Sequence, residues 1–589
     1  MSQSNRNPAV FVSLASAILW SWAGNALLSA PTAAQTSSDQ SVIYLNQAWS
    51  KDDREWYYNF SQGSAVLSYD IFLNLEVAGG PDLFRSDSNL AGYGLIPKSA
   101  NTYNPDALPI GISKTVVATP VKGWPAGDYV GPNCAACHEG QLDYKGKHVR
   151  IDGGISHTFD FQTLTRGLDD ALQATLTDAA KFDRLAARLR ASSGDPKDKL
   201  RKRLEAEAAR VHEYAIRTSV SPYPWGPGRI DALTMIQNRQ SATLAGIPEN
   251  TATPVAPVKP PFLWNAPQGL WTQWAGILQD PIGRNFGETV GVFLPIDLTS
   301  KSPEEGLFQS AGAIGELHRV EQQLARLAPP TWPEDVFGKI DREKAKQGKA
   351  LFMTLCSGCH NAWPYTWTEP NKYGKRFVLV GLVPQTYVGT DRTQFEAAKP
   401  FVFTGAVANY LPGEFKGKPM VPIEVLFGLG QRPILERALS QLKLTEAEEA
   451  DLRGYREFPL PPPPNHVYKA APRDGVWATP PFMHNGSVPN LYEMLIPAAE
   501  RTKKFYIGRE FDPVKVGLDT NAAAGASLMD TTLLGNSNAG HSFQNGPRGN
   551  GTIGPLLADE QRWALVEYLK SIPEEPGRVT PFGGPPEKP

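Results

Sequence analysis

The sequence predicts a mainly α fold, with two helical domains carrying extensive irregular loops and a loop-rich N-terminal and central region. Three observations predict it. Between 159 and 191, Phe161, Leu164, Leu168, Leu172 and Leu176 recur at three- and four-residue steps, the spacing of one helix face. One pentapeptide pattern, Cys-x-x-Cys-His, occurs twice, at 134–138 and 356–360, each beside a predicted helix. Gly 53 and Pro 52 among 589 residues leave much of the remainder as loop.

Cys134-Ala135-Ala136-Cys137-His138 and Cys356-Ser357-Gly358-Cys359-His360 contain all four cysteines. Cys-x-x-Cys-His is the attachment pattern of a c-type haem. Each sulfur adds to one porphyrin vinyl group, and the adjacent histidine places its imidazole on the iron. A structural zinc site would bring its four ligands into short loops, unlike two pairs 222 residues apart. A thioredoxin-like dithiol needs no histidine after the second cysteine. Two stabilising disulfides would leave the histidine after each pair without a reason. The expectation is two covalent haems, held by Cys134, Cys137, His138, Cys356, Cys359 and His360, each in a cytochrome c-like domain.

Composition bounds the rest. With 58 basic and 60 acidic residues the net charge is −2, so nothing favours nucleic acid or an anionic membrane as partner. Arg6, the apolar run Ala9 to Leu28 and Thr32-Ala33-Ala34 read as a signal peptide over 1–34, cleaved before Gln35. About 20 apolar residues would also suffice for an anchor, but Gly24 and Asn25 interrupt the run. The expected mature protein is periplasmic or secreted, without stable membrane insertion.

Residues 35–120, rich in Gly, Pro, Asn and aromatics, read as a loop-rich collar with a short helix at 52–61. Residues 121–330 form the predicted N-terminal haem domain. It includes charged helix at 195–217 and an aromatic segment around Phe262, Trp264, Trp271, Trp274, Phe286 and Phe293, read as core or as the wall of an apolar pocket. A helix over 306–327 ends at Pro329-Pro330-Thr331-Trp332-Pro333. The C-terminal haem domain, 331–589, then opens with a helix capped by Asp341 that delivers Cys356. Helices at 445–457 and 558–572 follow, the last closing the domain against its first helix.

The second axial position of each iron decides function, since a filled site suits electron transfer and an open one suits dioxygen or peroxide. Candidates are His148, His157, His212, His318, His466, His484 and His541, and the methionines. His541 lies in the glycine-rich loop Gly535–Phe543, able to cover the haem face opposite His360. His157, after Gly153-Gly154, is near enough in sequence to reach the first haem.

Pro480-Pro481-Phe482-Met483-His484-Asn485-Gly486-Ser487, followed by Leu491-Tyr492-Glu493, resembles a segment of dihaem cytochrome c peroxidases. Trp225–Ala232, Arg284–Phe293, the Gly540-His541 loop and the long spacing between pentapeptides are most similar to the large dihaem oxygenases of that superfamily, the bacterial rubber oxygenases. The resemblance, over about residues 120 to 575, implies that His360 and His541 close the C-terminal haem. It implies an N-terminal haem on His138 that keeps a site for O2 or H2O2, with Phe286 and neighbouring tryptophans close to it.

Two enzymatic readings follow. In one, O2 is activated at the N-terminal haem and inserted into an unsaturated hydrophobic substrate, polyisoprene or a fatty acid. In the other, H2O2 is reduced with electrons from a small periplasmic electron-transfer protein, with Glu288 or His157 moving the proton. A pure electron carrier would need both irons closed, and a protein-maturing dihaem oxidase would show tyrosine in place of His541.

Overall fold

Strand, not loop, surrounds the first pentapeptide. In the computed structural model, residues 42–585 are described, save 192, 429, 461, 463 and 524; the predicted leader at 1–34 lies outside them. Six strands build two three-stranded sheets: β1 (Val42–Tyr44), β2 (Leu67–Ser68), β3 (Ile112–Val117), β4 (Gly127–Pro132), β5 (Glu139–Tyr144) and β6 (Lys147–Asp152). In one sheet β4 is central, pairing antiparallel with β2 and with β3, Ile112 opposite Pro132. In the other, β6 runs antiparallel to β5 and parallel to β1. The two-residue turn between β5 and β6, Lys145-Gly146, has φ of 49° and 76°, the sign pair that suits a tight hairpin.

The mainly α expectation is therefore corrected. Helix accounts for 37% of the residues and strand for 14%, spread over several small sheets. The first Cys-x-x-Cys-His is followed by the β5–β6 hairpin, and helix begins only at Phe161. Strands of two to six residues are too short for apolar alternation to stand out, so glycine- and proline-rich sequence that reads as loop carries real ladders.

The helices lie where apolar spacing and caps put them. Lys51–Asn59 starts at a capping box between Ser50 and Asp53. Phe161–Thr177 and Ala179–Arg188 share the 159–191 stretch, Asp178 ending one and capping the other. Gly194–Thr218 is the charged helix, and Ile314–Leu324 is shorter than its predicted 306–327. Asp341 caps Arg342–Leu355 by accepting from Lys344 N–H, and Thr445 and Glu448 box the start of Glu446–Leu452. Asp559–Ser571 packs on Arg342–Leu355. The two helices touch at Gly348, where a Cβ would come within 1.9 Å of the Ala564 carbonyl oxygen.

The core that positions the two pentapeptides joins residues far apart in the chain. Tyr57, Tyr58, Ala135, Val149 and Ile151 share one buried cluster with Trp332, Phe337, Phe352, Trp477 and Leu565. At its centre Trp332, Phe337, Trp477 and Phe511 pack with ring centres 4.7 to 6.4 Å apart. A second core lies under the helices of 161–218, and a third gathers Ile282, Phe286, Val290 and Leu317 with residues of 402–452. Among the described residues no helix is long and apolar enough to cross a membrane.

Candidate functional site: two cavities with a shared wall

Strand β4 runs directly into the first pentapeptide. Asn133 caps the single turn Cys134–Cys137 by accepting from Ala135 N–H, and its amide donates to the carbonyls of Tyr58 and Phe60. Gly111 (φ +85°) lets the turn approach, since a Cβ there would lie 2.1 Å from the Ala136 nitrogen. The turn presents Cys134, Cys137 and His138 to one cavity of about 180 Å³, and none of the four cysteines is in a disulfide.

Apolar side chains dominate this cavity, among them Phe161, Ile230, Met235, Val258, Ile277 and Leu324. The polar side chains on its wall include Gln273, Arg284, Glu288, Glu321 and Lys469. Arg284 and Glu288 stand four residues apart on the helix Pro281–Gly291 and so share its cavity-facing side. Gln273 donates to Glu288 at 3.1 Å, and Arg284 pairs with Glu321, to which Asn285 also donates at 2.9 Å. Burial raises the Glu288 carboxyl above its ordinary range, with Arg284 opposing.

The second pentapeptide ends the helix Arg342–Leu355. Here His360 Nδ1 lies 3.0 Å from both the Ala471 carbonyl and Arg473 Nε, and Arg473 Nη2 stands 3.5 Å from Nε2, so one guanidinium and one carbonyl orient the ring. His541 comes from the far side on a backbone with φ of 42°, its N–H donating to the Val388 carbonyl at 2.7 Å. The two rings have centres 6.3 Å apart, across a cavity of about 280 Å³ that also meets Cys356 and Cys359. Two imidazoles on one metal, each with a bond of about 2 Å and about 1 Å more to its ring centre, require about 6 Å. That spacing fits an iron held between them. Burial first, then Arg501 and Arg473, push His541 down to about 3, which keeps its ring neutral and able to ligate.

The loop that carries His541 is pinned from three directions. Arg501 donates to the carbonyls of Asn538, Gly540 and His541. The Asn485 amide donates to the carbonyls of Gly535 and Ser537, and the Ser487 hydroxyl also donates to Ser537. Gly540 packs so tightly on Gly389 that a Cβ would lie 2.2 Å from its carbonyl carbon. The Pro480–Ser487 segment thus acts through position, holding the loop opposite His360. Its His484 lines the same cavity, stacked on Tyr468 with Nε2 3.0 Å from that hydroxyl.

Lys259, Phe262, Trp274 and Lys469 line both cavities. The Trp274 indole donates to the Lys259 carbonyl at 2.6 Å, and its own carbonyl accepts from Lys469 N–H at 2.7 Å. Lys259 is held by the carbonyls of Thr479 and Pro481. Burial, then Arg284 and Arg473, bring the Lys469 amine down to about 7, with Glu288 opposing.

Other residues singled out in the sequence lie elsewhere. His157 lines neither cavity; it is buried against Gly228, where a Cβ would lie 2.6 Å from its Cα. Phe286, two residues from both Arg284 and Glu288, points to the third core and meets Gly312. His148, His212 and His318 pair with Asp143, Asp169 and Asp451, and His466 is exposed. Arg229 joins Trp225, Asn485 and Asn536, while Asp231 caps the helix Ala232–Gln237. Sequence reasoning missed Arg501, Arg473, Lys259 and Lys469. The β-branched and aromatic pair Val467-Tyr468 was a signal for a strand there, but nothing local marked which lysine faces a cavity.

Residues 467–506, from the strand bearing Lys469 to the segment bearing Arg501, match the family described as RoxA-like, cytochrome c-like. A protein of Sinorhizobium fredii named uncharacterized protein y4iJ is 33% identical over 574 residues, 90% of this chain and 93% of its own length. A second protein of that organism, uncharacterized protein y4iM, is 26% identical over 329 residues, 53% of this chain and 63% of its own.

Proposed function

We propose that this chain, which belongs to the same family as the y4iJ protein of Sinorhizobium fredii, is a dihaem c-type oxidoreductase that oxygenates an unsaturated hydrophobic substrate with O2. The observation that carries it is the asymmetry of the two cavities. One sets His541 opposite His360, whereas His138 is the histidine that lines the other. A filled axial pair suits a centre that stores or passes an electron, and a single histidine leaves room for a small ligand. Bound through Cys134 and Cys137, the haem would supply dioxygen binding and one-electron chemistry.

The chain's own residues do the rest. Val258, Ile277, Phe262 and Leu324 give the first cavity an apolar wall that receives a hydrocarbon and excludes water. Arg284 carries positive charge there against Glu321, and Gln273 orients Glu288. Trp274 and Phe262, on both cavity walls, place aromatic rings between the two centres. Polyisoprene and fatty acids are the substrate classes we favour. Export of the chain to the periplasm by residues 1–34 fits the compartment in which c-type haem is attached, and a small electron-transfer protein is its proposed partner.

Glu288 supports one other reading, reduction of H2O2, because a carboxyl whose affinity for protons is raised by burial can donate one during O–O cleavage. Absorption and EPR spectra of the reduced protein, followed by admission of air, separate the readings. One low-spin bis-histidine haem, a second that responds to O2, and oxygen uptake with polyisoprene or an unsaturated fatty acid are expected. Two low-spin haems indifferent to O2 and peroxide would leave an electron carrier. Peroxide turnover with reduced cytochrome c and no oxygen uptake would establish the peroxidase.

A further inference from the structure

Beside the first-haem cavity, and separated from it by Glu321, is a third cavity of about 220 Å³. Glu321 lines both, and its two oxygens are used differently. Oε1 accepts from Arg284 and Asn285, while Oε2 is buried with no hydrogen-bond partner among the described residues. Arg456, 4% exposed, lines the third cavity and stacks 3.5 Å from the Phe377 ring centre. Its Nη2 donates to the carbonyls of Pro267 and Gly269, but Nε and Nη1 likewise find no partner among the described residues. The outer wall includes exposed Gln322 and Phe582 and the pair His318–Asp451, whose Nε2 and Oδ2 are 3.0 Å apart.

Buried polar groups are seldom left unmet, and one unmet acceptor with two unmet donors on the wall of one cavity calls for water. The volume holds several molecules. We propose that this cavity contains a chain of ordered water running from the surface at Gln322 and His318 past Arg456 to Glu321, and that it delivers protons to the first-haem cavity. A proton entering at the outer end is matched by one leaving Glu321 for the inner cavity, so the carboxylate ends as it began. Arg456 keeps the water oriented with its donors pointing inward, and Arg284 holds Glu321 at the partition. An apolar reaction chamber is thereby supplied with protons through a route separate from the one a hydrocarbon needs.

This inference rests on the reading of the first cavity as a haem site, and covalent haem content, measured as the pyridine haemochrome, tests that reading separately. In a crystal structure of the holoprotein at water-resolving resolution, waters bridge Arg456 Nε and Nη1 to Glu321 Oε2. Reduction by a photoexcited ruthenium complex, followed with a pH-indicator dye, then reads proton uptake. Ala325→Phe, which fills the cavity, and Glu321→Gln, which keeps its shape, each slow uptake at least tenfold with haem content unchanged. Absence of the waters overturns the proposal. So does uptake that is missing in the native protein or as fast in Glu321→Gln as in the native chain.

Discussion

Arg501 Nη2 donates to the carbonyl oxygen of His541 at 2.7 Å, and Nη1 of the same guanidinium takes the carbonyls of Asn538 and Gly540. One planar group thus fixes the backbone on which His541 stands opposite His360. Replacement by methionine leaves the carbonyls of Glu493, Asn538, Gly540 and His541 without their donor. Hydrogen bonds to a charged group contribute about 1.5–3 kcal/mol each, but much of that sum is offset because a buried charge no longer has to be desolvated. Arg501→Met is expected to lose about 2–4 kcal/mol in urea unfolding and to shift the EPR signal of the proposed second haem from low towards high spin. Arg501→Lys should not restore it, because an ammonium cannot reproduce the fork. A low-spin signal that survives both changes would show that the loop holds itself.

Acid should unfold the protein through histidines outside the proposed ligand set. His157 and His484 are each pushed down to about 4, burial being the first cause in both. Their folded values lie below the ordinary 6.5, so the stability they confer is complete above pH 6.5 and is lost as pH falls towards 4. Each contributes about 1.4 kcal/mol per pH unit, about 3 kcal/mol over the window. Urea unfolding at pH 7, 6 and 5 should show the decline, and His157→Gln should reduce its slope by one proton.

Much of this arrangement could be read in advance, and what could not has a physical reason. The pentapeptides can be recognised as an attachment pattern because thiol spacing and the following histidine are local features, and Asp341 and Thr445 announce helix starts through their own side chains. His541 was legible as a candidate because it sits in a glycine-rich loop near the chain's last helix. The sheets were not legible, since β2 has two residues and pairs with β4 sixty positions on. Lys259, Lys469 and Arg501 were missed for the same reason. Their partners, such as Thr479 for Lys259, lie far away in sequence, and only the assembled fold sets them beside a cavity.

Gly348 shows how a glycine in a helix can be read once its neighbour is known. The expected cost of alanine there is set by the Ala564 carbonyl, 1.9 Å from the added Cβ, and backbone on that side cannot rotate away. Overpacking of this kind costs about 1–3 kcal/mol. Gly348→Ala should therefore lower stability by about 1–3 kcal/mol in urea unfolding and disturb the spectrum of the proposed second haem more than that of the first. Gly315, whose Cβ would meet open space at the start of Ile314–Leu324, is the control. Gly315→Ala should be neutral or stabilising by up to about 1 kcal/mol.

Phe286 and Glu288 separate packing from chemistry on one helix. Phe286 is 1% exposed in the third core, so Phe286→Ala is expected to cost about 3–5 kcal/mol with little change in turnover per folded molecule. Glu288 faces the first cavity, and Glu288→Gln removes a buried carboxyl while keeping its shape and its contact with Gln273. Stability should hold or rise by about 1 kcal/mol, because a buried acid gives way to a neutral amide. If the group moves a proton in the reaction, turnover falls about 10²- to 10⁴-fold. In an oxygenase that uses Glu288 only to polarise the cavity, the fall is below tenfold and oxygen binding by the reduced protein is unchanged. Turnover by Glu288→Gln, with H2O2 and with O2 plus hydrocarbon in parallel, therefore reads the role of the carboxyl and the reaction it serves together.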